Sequence, residues 1–548
     1  MLEKQWAYHV ECESSPHEWM LGGAASKLRA ARRALAEYVR ADVRDVVLVE
    51  NCTAATTAVI RAAGLRAGDV AIHLSTAYGM VKNCVAHAAE SVGAEVRCVP
   101  VEFRGRGTPP LGAGGVPLEL ALADAIDDAV ARGCRVALVT FDYIASCPGA
   151  IMPALELARA CKARGVPVLC DGAHILGQIP VDCSALEEAG VTYLMADAHK
   201  WLFSPKGSAM LWVTRGAQSD VHPSVIGAVC SNSPLTSFDP AALEGLTEFE
   251  RRFQYTGTRD YTPLIAVHDA LKFRARVGEE TILAHNRGAA TWAQEWLAKA
   301  WRTETLTPPE CVANMAHARV PVSSMAAATL LNRTLKEDRG VHVMGFSLPP
   351  REHLRETEPT HWVRPCAQLF VSRDDFRALG AAVLELAPGC EAAAKCGAAW
   401  LAKTRARSSR RRAMEAAKFV SKLDVGHKVT VGFAPPARSD SAFDLTARAA
   451  NAVAAVAKYS AGGLGGVDRY PTHPRVASAS ALPALAEDGE LVGEKISREG
   501  VCGVGSMGHS PTTVMDAAGS VASSAGTSVD GSGFIVPEWS RVVAASGF

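Results

Sequence analysis

Between residues 24 and 215 two hydrophobic rhythms alternate along the chain. In Ala24–Arg40, Leu28, Ala31, Leu35 and Val39 recur at helical spacing with Arg and Lys between them, the stripe of a helix that buries one face. Seven short apolar runs follow, at Val46–Val49, Val70–Leu74, Glu95–Val101, Arg135–Phe141, Val166–Cys170, Thr192–Ala196 and Ser208–Val213. Most are β-branched and continuously apolar, as strands covered on both faces must be. Segments long enough for crossover helices separate several of them, notably Glu119–Ala131 and Ala154–Arg164. Strand, helix, strand in repetition predicts an α/β fold with a mostly parallel sheet under helices. Gly and Pro cluster in Arg104–Pro117, which reads as a loop.

A helical pattern at Thr262–Val277 leads into a second α/β region, with helices expected at Thr281–Trp301 and Asp374–Leu386 and strands at Ala318–Val322 and Trp362–Val371. The expected organisation is therefore an N-terminal segment with a large domain over 1–277, a smaller α/β domain over 278–390, and an extension over 391–548. From Val501 to Phe548, 17 of 48 residues are Gly or Ser. Such a segment buries too little surface to offset its ordering entropy, so the low-complexity tail reads as largely disordered.

Charge narrows the function classes. Lys+Arg and Asp+Glu are both 57, so no net field favours nucleic acid or an anionic membrane. No apolar run approaches the roughly 18–20 residues that span a bilayer. The N-terminus has no basic region followed by an apolar one, and the 15 cysteines lack C-x-x-C or metal-type spacing, which reads as reduced thiols in the cytoplasm or an organelle.

Candidate chemistry concentrates in Val166–Val213. Asp171 ends an apolar strand, the edge where open α/β sheets place ligands, and a carboxylate there suits a positively charged ring nitrogen. Lys200 follows His199 after the next strand-like run, ahead of the turn Ser204–Pro205–Lys206–Gly207. A lysine held in a cleft can form a Schiff base with a carbonyl. D-G-A-H, then about 25 residues, then H-K-W with a P-K-G turn, resembles the class V aminotransferase superfamily, most closely its isopenicillin N epimerase-like branch. In the family's order come Asn51–Cys52–Thr53–Ala54 for N-x-T-x-A, Ala77–Tyr78–Gly79 for A-Y-G, and Phe141–Asp142–Tyr143–Ile144–Ala145–Ser146 for the D-H-I-T-S segment. Gly257–Thr258–Arg259–Asp260 matches G-T-R-D, and Trp362–Val363–Arg364 with Gln368–Leu369–Phe370 is similar to W-V-R-I-S-x-Q-x-Y-N.

The resemblance, over roughly residues 1–390, implies an aspartate-aminotransferase-like type I fold, pyridoxal 5'-phosphate as cofactor, a small amino acid as substrate and a homodimer. It implies that Lys200 holds the cofactor and moves the Cα proton, Asp171 pairs with the ring nitrogen, and His174 contacts the ring or its hydroxyl. It further implies that Tyr78 stacks on the ring, Thr53 and Ala54 cup the phosphate with His199 nearby, Thr258 reaches the neighbouring subunit's phosphate, and Arg364 binds the substrate carboxylate. Each residue also has a plainer reading. Asp171 or Thr53 could cap a helix, His174 could be a hydrogen-bonded core histidine, and Tyr78 could pack a loop. Arg364 could pair with an exposed carboxylate, and Gly257–Thr258 could be an ordinary turn.

This chain departs from the family pattern in places. No N-H-G-S-type turn precedes the first long helix, Tyr143 and Ala145 replace His and Thr, and Pro365–Cys366 replaces I-S. Asp197 stands three residues before Lys200, where a neutral or hydroxyl residue is common and a carboxylate would repel a phosphate. Branch membership implies chemistry at Cα or Cβ, with C–S lyase activity of the cysteine desulfhydrase kind favoured over epimerisation. A degenerate binding or scaffold protein is the third reading. Gly340–Val363 contains no cysteine, which argues against the persulfide route of cysteine desulfurases. The G-x-G-x-x-G match at Gly503–Gly508 follows no strand, and the basic run Lys403–Arg412 has no interleaved aromatics, so neither is read as a site.

Overall fold

The computed structural model describes residues 1–105, 107–227 and 243–396. Of the extension expected over 391–548, residues 391–396 continue a helix, and the remainder, with the basic run at 403–412 and the glycine motif at 503–508, lies outside the described residues. All seven apolar runs form strands: β1 (Val46–Val49), β2 (Val70–Leu74), β3 (Glu95–Val99), β4 (Val136–Asp142), β5 (Val168–Asp171), β6 (Tyr193–Asp197) and β7 (Ala209–Val213). They make one sheet in the order β1-β7-β6-β5-β4-β2-β3. Four neighbouring pairs, from β3 through β6, run parallel. β7 pairs antiparallel with both β6 and β1. All residues of β1, β2 and β4 to β7 are buried, the physical counterpart of their unbroken apolar runs. Edge strand β3 is only half-buried and stops at Val99, before Pro100.

Helices cover both faces. α1 (Leu2–Ser14) and α2 (Ala24–Tyr38) precede the sheet, and α2 buries Leu28, Ala31 and Leu35 as its spacing predicts, with Val39 buried just past its end. α3 (Cys52–Ala62) follows β1 and is capped by Asn51, whose Oδ1 accepts the Ala54 N–H at 2.9 Å. α4 (Gly79–Val92) ends on Gly93 at φ +77°, the left-handed stop that glycine adopts without strain. α5 (Leu118–Ala131) and α6 (Ala154–Lys162) are the crossovers flanking β4.

α7 (Thr262–Val277) and α8 (Glu279–Trp301) meet at Gly278. Beyond them a three-stranded antiparallel sheet orders β8 (Ala318–Arg319), β10 (Thr360–Arg364) and β9 (Met344–Leu348), with β10 central. α9 (Met325–Arg339) and a helix over 373–396 pack on it with α8. Two expected strands are shorter than their apolar patterns. The one at Ala318–Val322 covers only two residues, because Pro321 has no N–H to continue the ladder. The one at Trp362–Val371 stops at Arg364 for the same reason at Pro365, and Cys366 keeps only an isolated bridge to Met315. Among the described residues no helix is long and apolar enough to cross a membrane.

Candidate active site

Three strand ends converge at the carboxyl edge of the parallel strands. β4 ends in Asp142, β5 in Asp171 and β6 in Asp197, and all three carboxylates are buried. Asp142 and Asp171 are direct partners across the β4–β5 ladder. Two carboxyls so placed cannot both ionise cheaply. Burial and then the charge of Asp171 push Asp142 well above the carboxylate range. Burial raises Asp171 to about 6, opposed by the Ala173 N–H it accepts at 2.9 Å and by the charge of Lys200. Asp171 is thus the member of the pair that ionises first, and its hydrogen bond closes a turn, since no helix starts here for it to cap. Gly172 makes the turn possible, since a Cβ there would lie 2.6 Å from Ile175 Cδ1 and 2.8 Å from the Met195 carbonyl.

Lys200 sits in the short helix Ala198–Trp201 directly after β6. Its Nζ is 3.0 Å from Asp197 Oδ2 and 3.4 Å from His174 Nε2. The Trp201 indole N–H donates to His174 Nδ1 at 3.2 Å. Burial, then the charges of Lys200 and Arg364, holds the His174 pKa well below the usual histidine value, so the ring is neutral. With Nδ1 accepting, the single ring proton is assigned to Nε2, facing the lysine. The Gln178 amide donates to the His174 carbonyl at 2.7 Å and accepts the Asn314 N–H at 2.8 Å.

The other Asp197 oxygen, Oδ1, accepts the Cys52 N–H at 2.9 Å. Thr53 and Ala54 therefore open α3 beside Lys200. His199 lies against the same carboxylate, 3.8 Å from Oδ1, and its Nδ1 is 2.7 Å from the Ser208 carbonyl. Burial lowers its pKa, so His199 too is neutral. Lys206 donates to the His199 carbonyl at 2.7 Å, fastening the P-K-G turn under the site.

Arg364, the last residue of β10, donates through Nη1 to the Ser146 carbonyl and, at 3.4 Å, to the Ser146 hydroxyl. Its Nε is buried with no partner among the described residues. Gly149, at φ +106°, leaves room for it, since a Cβ there would stand 3.2 Å from Arg364 Cδ and 2.9 Å from Met315 Cβ. Arg364 thus lies near enough for its charge to act on His174, and among the described residues it pairs with no carboxylate. Tyr78 is the N-cap residue of α4 and is 53% exposed, and Thr258 is exposed with its hydroxyl 2.8 Å from Tyr255 OH.

Arg274 was not singled out from the sequence. It is 1% exposed, donates to the Trp201 carbonyl at 3.1 Å and the Gly177 carbonyl at 3.4 Å, and pairs with Glu279 at 2.6 Å. One guanidinium so ties the D-G-A-H segment to the H-K-W segment. Its signal is a charged residue in the apolar row Val267, Ala270, Arg274 of α7.

The donor set fits pyridoxal phosphate: a lysine amine, a buried carboxyl with no ion-pair partner among the described residues, a neutral imidazole beside the lysine, and the opening of a helix at one end. Asp197 alone runs against the phosphate. The class V aminotransferase family model matches residues 6–345. An L-cysteine desulfhydrase-like protein of Epichloe uncinata is 30% identical over 383 residues, covering 64% of this chain and 82% of that protein. The isopenicillin N epimerase of Streptomyces clavuligerus is 29% identical over 358 residues, covering 65% and 85%. A solved structure of the cystine C–S lyase C-DES with cysteine persulfide superposes with a TM-score of 0.56 at 19% identity, covering 70% of this chain and 93% of that one. The chain belongs to the class V aminotransferase family, enzymes whose cofactor is pyridoxal 5'-phosphate.

Proposed function

We propose that the protein cleaves the Cβ–S bond of a small cysteine-like amino acid, converting L-cysteine and water to pyruvate, ammonia and sulfide. The observation that carries this reading is Lys200 Nζ, 3.0 Å from Asp197 and 3.4 Å from His174, beside the buried Asp171. Pyridoxal phosphate, when bound, supplies a carbonyl for the substrate amine and a ring that withdraws electrons from Cα. Arg364 takes the substrate carboxylate, for which its unpartnered Nε and planar fork are suited. Lys200 removes the proton at Cα and is the group that can return one. Asp171 holds a proton on the ring nitrogen by its charge, and His174 presents Nε2–H toward the lysine side of the site.

Similarity to a desulfhydrase-like relative supports the lyase reading, and similarity to an epimerase keeps inversion at Cα as the second. The absence of cysteine from Gly340–Val363 weighs against a persulfide on the enzyme. A homodimer is part of this reading: the family resemblance implies it, and Thr258 lies exposed where a second copy can reach it. The scattered, unspaced thiols support a cytoplasmic setting. Incubation with L-cysteine is expected to yield sulfide and pyruvate in equal amounts. Exchange of the α-proton in deuterated water with neither product would favour the epimerase instead.

A further inference from the structure

Asp197 is the residue at this site that cofactor binding should disfavour, yet it is the most firmly held. Both oxygens are engaged, Oδ1 by the Cys52 N–H at 2.9 Å and Oδ2 by the Lys200 amine at 3.0 Å, and the residue is 4% exposed. Of the N–H groups that open α3, that of Cys52 is thus taken by a carboxylate and that of Ala54 by the Asn51 cap. His199, neutral and 3.8 Å away, does not cancel the charge. The nearby cation is Lys200, the same amine that must be free to condense with an aldehyde.

Resting on the cofactor reading above, we propose that Asp197 is a specificity-determining residue for the cofactor's phosphate: an anion built into the phosphate seat. It competes with a phosphate ester for the start of α3 and for the Lys200 ammonium. Two effects then act in one direction. The carboxylate repels a dianion placed at the same helix end, and its pairing with Lys200 withholds the amine. The protein should therefore distinguish poorly between pyridoxal 5'-phosphate and pyridoxal, the same aldehyde without the phosphate.

The test titrates full-length protein and the Asp197→Asn variant with each aldehyde, following absorbance, and with inorganic phosphate by calorimetry. Asn keeps an acceptor for the Cys52 N–H and removes the charge, and Asp197→Ser serves as a second variant should Asn destabilise the fold. The expected result is at least a tenfold rise in the ratio of pyridoxal-phosphate to pyridoxal affinity, together with tighter inorganic phosphate binding. An unchanged or lowered ratio overturns the proposal, as does an absence of any gain for inorganic phosphate. If neither aldehyde reacts with any form, the cofactor reading fails, and the phosphate arm still decides the role of Asp197.

Discussion

At the scale of single residues, the site combines charges that would be unfavourable alone. Burial raises Asp171 from its ordinary 3.8 to about 6, so the folded chain keeps a proton that the unfolded chain gives up. Between about pH 4 and 6 the folded state binds more protons, so stability falls as pH rises across that window and levels off above it. The cofactor-free protein is expected to lose a few degrees of thermal midpoint between pH 4 and 6, and Asp171→Asn to flatten that slope. A slope that is the same in both proteins would show that Asp171 does not titrate there. Arg364→Ala should leave the cofactor spectrum intact and raise KM for the amino acid roughly 10–100-fold, the loss of a charge-assisted pair of about 1.5–3 kcal/mol. A changed spectrum with unchanged KM would remove Arg364 from substrate binding. The motif residues were legible because their chemistry is local in sequence. Trp201 and Arg274 were not, since their partners lie 27 and 97 residues away and their roles exist only once the chain is folded.

At the scale of elements, the strand pattern was readable because both faces of the sheet are covered, so apolar runs and strands coincide to within two residues at either end. Where proline interrupts, at Pro100, Pro321 and Pro365, the apolar pattern overran the strand, because hydrophobicity follows burial whereas the ladder needs an N–H. α9 and β9 went unread. The three buried residues of α9, Ala327, Leu331 and Leu335, give it a narrow stripe, and β9 exposes Met344 and Gly345, leaving weak alternation to detect. The sheet is the platform that sets the three carboxylates side by side. Leu138→Ala, at a position 1% exposed in central β4, is expected to cost about 2–5 kcal/mol in denaturant unfolding with little change in the cofactor spectrum of the folded fraction. Gly172→Ala should do the reverse in kind. A methyl group held 2.8 Å from the Met195 carbonyl must move the Asp171 turn, lowering cofactor affinity tenfold or more for a stability loss of about 1–3 kcal/mol. Unchanged cofactor affinity in Gly172→Ala would show that the turn does not position Asp171.

At the scale of the whole molecule, the carboxyl edge of the large sheet meets the end of β10 in the smaller one, and Gln178 bridges the two through the Asn314 N–H. That meeting brings Arg364 close enough for its charge to act on the same histidine as Lys200, 164 positions earlier, an arrangement only the complete described fold can make. The account depends on Lys200 being the lysine that binds pyridoxal phosphate. The most direct measurement adds the cofactor to purified protein, records the visible-edge absorbance band, reduces with borohydride and maps the modified peptide by mass spectrometry. The account predicts a band that disappears on reduction, with the pyridoxyl mass fixed on Lys200, and no band in Lys200→Ala. A label on another lysine, or a band that survives in Lys200→Ala, would contradict it.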